Sequence, residues 1–228
     1  MTQAAAQHGL WPAARRAIGL GIALSAATWL AACSILPAQT PVDTYVLPSA
    51  QWQRATPTGT TGNAANTGPA LRIARPVAHG VLASKRIVVM PQADRQQVYQ
   101  GAVWSDPAPH MLRHRLLDAF LADGRLPWVD TDESPGAQVD YLLTSQLRSF
   151  HSAYQNGSPV AVIRIDAQIV NTRSNRIIAS RSFITEQAAA SKAVPDVVQA
   201  LGQASDHVAR EMANWAAGTV AAAGGAAR

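Results

Sequence analysis

The chain has 228 residues, 48% of them apolar and 14% charged, with a formal net charge of +5. That length suits one domain plus tails, and the apolar share is enough for a core, although much of it is alanine near the two ends. Arg15 and Arg16 belong to a segment read below as removed, and the remaining excess of about +3 is scattered, which argues against a nucleic-acid partner.

Residues 1–32 read as a cleaved export signal. Arg15-Arg16 supplies the positive start, and Ala17 to Leu30 is a nearly uncharged Leu/Ile/Ala/Gly run. The run is short for a bilayer span and long enough for a signal core. It ends in Leu30-Ala31-Ala32-Cys33, where small residues let extended backbone enter a peptidase cleft and a thiol follows as the acceptor for lipid. Cys33 is the only cysteine, so a disulfide framework is excluded, and acylation would remove an otherwise reactive thiol. Residues 33–42 form a lipidated tether. A single acyl chain binds a membrane marginally, whereas several hold firmly.

In the mature chain, Asp43 to Leu47 reads as a strand stopped by Pro48. Residues 55–70 are Thr/Gly/Asn-rich, with little to bury, and read as a flexible insertion. Leu71 to Val77 is extended; Lys85 to Met90 is a buried strand ending at Pro91. Val98 to Trp104 is a strand with Val98, Gln100, Ala102 and Trp104 on one face. A helix follows over 107–122, capped by Asp106, with Pro107 in its first turn and Gly124 at its end. Leu112, Leu116, Ala119 and Phe120 form its apolar stripe, and Arg113, His114 and Arg115 face away. Leu126 to Val129 is a short strand.

The clearest alternation comes next. Val139, Tyr141, Leu143, Ser145 and Leu147 share one face; after Asn156-Gly157, so do Ala161, Ile163, Ile165, Ala167 and Ile169. Ser174-Asn175 turns the chain into a partner strand, Arg176 to Thr185. Val197, Leu201, Ala204, Val208, Met212 and Trp215 recur at helical spacing over 195–216. Residues 217–228 read as a disordered Ala/Gly tail. The order of elements predicts an α+β domain over 43–216, an antiparallel sheet with two main helices packed on one face.

Chemistry is sparse. The chain contains neither a Gly-x-Ser-x-Gly elbow nor a phosphate-binding Gly-rich loop. His110 and His114 sit at helix spacing with Met111 where a zinc-protease motif needs Glu, so they read as a solvated face. Asp130, Asp132 and Glu133 lack the regular spacing and sharp Gly of a calcium loop and read as a wet turn. His151 and Tyr154 cover a hairpin rim. These observations predict neither an enzyme nor a metal or other cofactor. The better lead is aromatic: Tyr99 and Trp104 lie in a Pro-bounded stretch for which core packing is the first reading and a partner interface the alternative, and they are the candidates for that interface. Trp52 reads as exposed, Trp128 and Trp215 as core.

Several segments together resemble a known family: Cys33 followed by Tyr45-Val46-Leu47-Pro48, then Leu71 to Pro76, Arg86 to Met90, and Val103-Trp104-Ser105-Asp106-Pro107 running into Met111-Leu112. The chain is similar to auxiliary lipoproteins of ABC-type transport systems of the mammalian-cell-entry (MCE) kind. The resemblance implies a non-enzymatic, periplasm-facing accessory protein beside an ABC permease, its ATPase and an MCE-domain substrate-binding protein, in systems moving phospholipid or other hydrophobic molecules. Ser34 rather than Asp after the lipidated cysteine implies the outer membrane. The alternative is a structural or regulatory outer-membrane lipoprotein acting on cell-wall synthesis or envelope assembly.

Overall fold

In the computed structural model, which describes residues 41–48, 68–133 and 138–225, the alternating run after Val139 becomes the backbone of one eight-stranded sheet. Strand β6 (Tyr141–Gln155) and strand β7 (Ser158–Asn171) pair antiparallel along their whole length, and β8 (Arg176–Ala188) adds antiparallel to β7. Gln155 pairs with Ser158, so Asn156 and Gly157, at φ 50° and 78°, are the entire turn.

On its other edge β6 carries two groups of shorter strands. Toward its start lies β2 (Ala70–Ile73), itself paired with β5 (Trp128–Thr131); toward its end lies β3 (Arg86–Gln92), followed outward by β4 (Arg95–Trp104) and β1 (Asp43–Tyr45). The pairs β1–β4, β2–β5, β2–β6 and β3–β6 are parallel. The α+β class therefore holds, while the sheet is mixed rather than antiparallel throughout. The parallel pairs arise because β2 and β3 both return to β6 through connections long enough to reverse the chain.

Helix α1 (Ala108–Asp123) and helix α2 (Val194–Gly225) share one core with the inner sheet face. Burial follows the predicted alternation: Tyr141, Leu143 and Leu147 on β6 and Ala161 to Ile169 at every second position of β7 are buried. The phase of β6 changes at Arg148, an extra residue between two register pairs, so that beyond it Phe150 and Ser152 point inward. On α2 the buried positions are mostly small, which lets the helix lie close to β6, β7 and β8.

Several local expectations change. Pro107, not Asp106, is the N-cap of α1 and no side chain caps it; Pro109 occupies the first turn. Pro91 lies inside β3 rather than ending it. The insertion ends before Ala70, which opens β2. Residues 217–225 continue α2 instead of forming a disordered tail. Trp52 and residues 55–67 lie outside the described residues, as does the whole segment through Cys33.

The tryptophans also redistribute. Trp104 is 1% exposed and stacks at a tilt on Phe150, with ring centroids 5.8 Å apart. This is core packing, the first of its two readings, and it removes Trp104 from the candidate interface. Gly101, at φ 68° within an irregular stretch of β4, shifts the strand so that Ala102 and Trp104 turn into the core. Trp128, read as core, is 53% exposed because it opens β5, which pairs only with β2 at the sheet's end. Trp215 is half-buried, edge-on to Phe183 at 5.5 Å. Trp104→Ala should therefore cost about 3–5 kcal/mol in urea denaturation, whereas Trp128→Ala should cost at most about 1 kcal/mol. Equal losses would contradict this placement.

Candidate partner interface

Helix α1 is charged where it is most enclosed. It is wedged between α2 on one side and β2 and β5 on another, so Arg113 and Arg115 are buried rather than facing away as expected, and only a narrow stripe with His114, Asp118 and Leu121 meets solvent. Arg113 is 1% exposed and is held by Asp132 at 2.8 Å and by Glu133. The acidic residues read as a wet turn are thus the counter-ions of a buried guanidinium, which is the only state in which such a charge is tolerated inside. Burial pushes the Asp132 carboxyl up, but hydrogen bonds from Arg113 and the Arg75 N–H outweigh it and leave its pKa lowered.

Arg115 joins three elements. It ion-pairs with Asp206 on α2 at 2.7 Å and donates to the Pro48 carbonyl beyond β1. Pro48 lies against Gly202, where an added Cβ would stand 3.0 Å from the proline ring, so any larger residue would require the proline to give way. The segment after β1 is therefore pinned between the two helices. Asp206 is pushed up by burial, partly offset by Arg115 and Arg210.

Tyr99 is half-buried against the core at the end of the sheet, and burial raises its pKa despite the nearby Ser152 hydroxyl. Tyr154 shares that inner face and receives the Lys192 ammonium over its ring at 5.6 Å. His151 points the other way, paired across from Val162, and burial lowers its pKa. His151 and Tyr154 therefore lie on opposite faces of β6 and cannot act on one substrate. His110 approaches the Arg75 guanidinium at 3.3 Å, a poor setting for a metal ligand. Among the described residues no three His, Cys, Asp or Glu side chains are grouped to hold a metal ion.

The outer face of β6, β7 and β8 forms an open polar hollow of about 430 Å³. At its centre Asp166 accepts from Ser182 at 2.6 Å and from Arg148 at 2.8 Å, with Arg164 at 3.9 Å. Those two hydrogen bonds hold its carboxyl below the usual carboxylate range. The cluster ties three strands in register and presents no free nucleophile. Sequence reasoning also missed the apolar surface of β8, where Ile177 and Ile184 are exposed, although two adjacent isoleucines on a final strand were a visible signal.

Buried charges that join elements, a polar outer sheet face and a long outer strand characterise this small α+β body. A family model described as the ABC-type transport auxiliary lipoprotein component matches residues 45–213, and the chain belongs to that family. Protein XCC0632 from Xanthomonas campestris is similar in structure, with TM-score 0.68 and 28% identity over 78% of this chain and 96% of that one. A second crystal structure, of an uncharacterized protein, shares the fold at TM-score 0.59 and 17% identity, covering 76% of this chain and 97% of that one. No curated protein sequence matches the chain.

The Arg113 cluster gives an asymmetric expectation. Asp132→Ala with Glu133→Ala strands a buried guanidinium and should cost about 3 kcal/mol, whereas Arg113→Met leaves two partly exposed carboxylates and should stay within about 1 kcal/mol. Because the folded pKa of Asp132 is lowered, its stabilisation is present above the ordinary carboxylate pKa and is lost as pH falls through the folded value. The acid limb of a stability–pH curve should flatten in Arg113→Met; an unchanged limb would refute the coupling.

Proposed function

We propose that this auxiliary lipoprotein is a lipid-anchored accessory component of an MCE-associated ABC system that moves phospholipid or other hydrophobic molecules across the envelope. Its partners are the ABC permease, the ATPase and the MCE-domain protein. The observation that carries the reading is the family match from Tyr45 onward, placed shortly after Leu30-Ala31-Ala32-Cys33. Cleavage before Cys33 and acylation of its sulfur would give the body its membrane attachment. No helix among the described residues is long and apolar enough to cross a membrane.

Chain geometry sets the range of such an anchor. Fully extended, Ser34 to Val42 reaches about 30 Å, so the folded body works close to one bilayer surface. Ser34 after the cysteine favours the outer membrane, facing the periplasm. Several acyl chains at about 0.8 kcal/mol per buried methylene make that attachment durable. Within this reading the protein positions partners and turns nothing over. Tyr99, which is half-buried, remains a proposed contact.

Labelled palmitate should enter the wild-type chain, and Cys33→Ser should abolish both labelling and membrane fractionation. After crosslinking in cells, the MCE-domain protein or permease should co-purify with the lipoprotein. Recovery of the lipoprotein alone would count against the transport partnership even if the anchor were real.

A further inference from the structure

The outer edge of β8 ends the sheet. Among the described residues no strand or isolated bridge pairs with that edge, although β8 runs for 13 residues. Its main-chain donors and acceptors on that side are an open template for another strand. Beside its last turn of pleat runs a groove of about 520 Å³ between the strand and α2. Ile184, Thr185, Glu186 and Gln187 all line it. Consecutive strand residues point to alternate faces, so four in a row line one groove only when it follows the backbone edge. The opposite wall comes from positions 203, 206, 207 and 210 of α2, a single helix face.

The groove is chemically marked. Thr185 is 8% exposed and its hydroxyl has no hydrogen-bond partner, a state that costs stability unless something completes it. On the alternate face Ile184 is 59% exposed, and two residues on, Glu186 accepts a hydrogen bond from the Gln155 side-chain amide at 2.9 Å. The opposite wall carries Asp206, countered by Arg115 and Arg210, with His207 and Arg210 themselves lining it, which leaves Glu186 as the carboxylate not countered across the groove.

We propose that β8 and α2 together form a peptide-binding groove that takes an extended segment of a partner protein as a ninth strand. Main-chain pairing to β8 supplies the affinity, and three side-chain positions supply the selection. An apolar residue stands opposite Ile184, a basic residue opposite Glu186, and between them a small hydroxyl or amide side chain points inward to complete Thr185. The groove is independent of the lipid anchor and stands whether or not Cys33 is acylated.

The test uses the folded chain and two capped extended peptides that share a Val-Thr core, one continuing with Lys and its twin with Glu. The Lys peptide should slow amide exchange at least tenfold across residues 182–188 and bind at least tenfold more tightly than the Glu peptide. Glu186→Lys, at an exposed position, should reverse that preference, and Thr185→Val should weaken the Lys peptide severalfold while leaving the fold intact by circular dichroism. Three results would each overturn the proposal. They are the absence of protection on β8, protection without charge preference, and closure of the β8 edge by a second copy of the chain in sedimentation.

Discussion

The antiparallel ladder between β6 and β7 is the constraint from which the other elements take their positions. One edge of β6 is committed to β7 over its full length. The other edge is divided, β2 meeting residues 141–143 and β3 meeting residues 152 and 153. Arg148, the extra residue in the ladder, lies between those two contacts. A bulge bends a strand and increases its twist. Here it turns the far half of β6 away from the near half, which leaves room for two separate strand groups on one edge. It also reverses which residues face inward, so that Phe150 reaches Trp104. The Arg148 side chain, released to the outer face, closes on Asp166 and reinforces the ladder that it interrupts.

The helices are located by charge as well as by apolar contact. A helix covered on one side needs only an apolar stripe, but α1 is covered on two. Its sequence places arginines at 113 and 115, and each finds carboxylates on a different neighbour. A buried ion pair adds little net stability over a well-packed apolar substitute. It does penalise every arrangement in which the partners are apart. The Arg115 contact with Asp206 and Pro48 fixes the angle between α1 and α2 and the exit of the chain from β1 in a single grouping.

Much of this was legible in the chain. The period-two runs through Leu143 and Ile165 and the helical recurrence from Val197 to Met212 report their own burial, because local periodicity and core-facing geometry are the same fact. The four parallel pairings were not legible. β2 and β5 are four residues each, and nothing local in Leu71 or Val129 names the strand each will meet. The arginines of α1 misled for a related reason, since their carboxylate partners lie on β5's following turn and on α2. Trp128 was misplaced, and the two readings of Trp104 stayed open, because burial depends on a strand's rank in the sheet and on the irregularity at Gly101. The proposed acylation signal at Cys33 would be a motif read by other proteins, and no described feature of the folded body bears on it.

The distribution of side chains also constrains how this body can be recognised. Trp104, Phe150, Phe120 and Phe183 are consumed by the core, and the polar groups of the outer sheet face are engaged with each other around Asp166. Among the described residues aromatic anchors, the usual centre of a tight protein interface, are therefore few, Trp128 at the start of β5 being an exposed one. The exposed apolar side chains of β8 are isoleucines beside an unpaired main chain. Contacts of that kind gain affinity by extending a sheet, and they tolerate variation in the partner because the backbone carries most of the interaction. An auxiliary subunit that must meet other components near a membrane surface is well served by such a surface. Its specificity can then rest on a few charges, while its own stability depends on none of them.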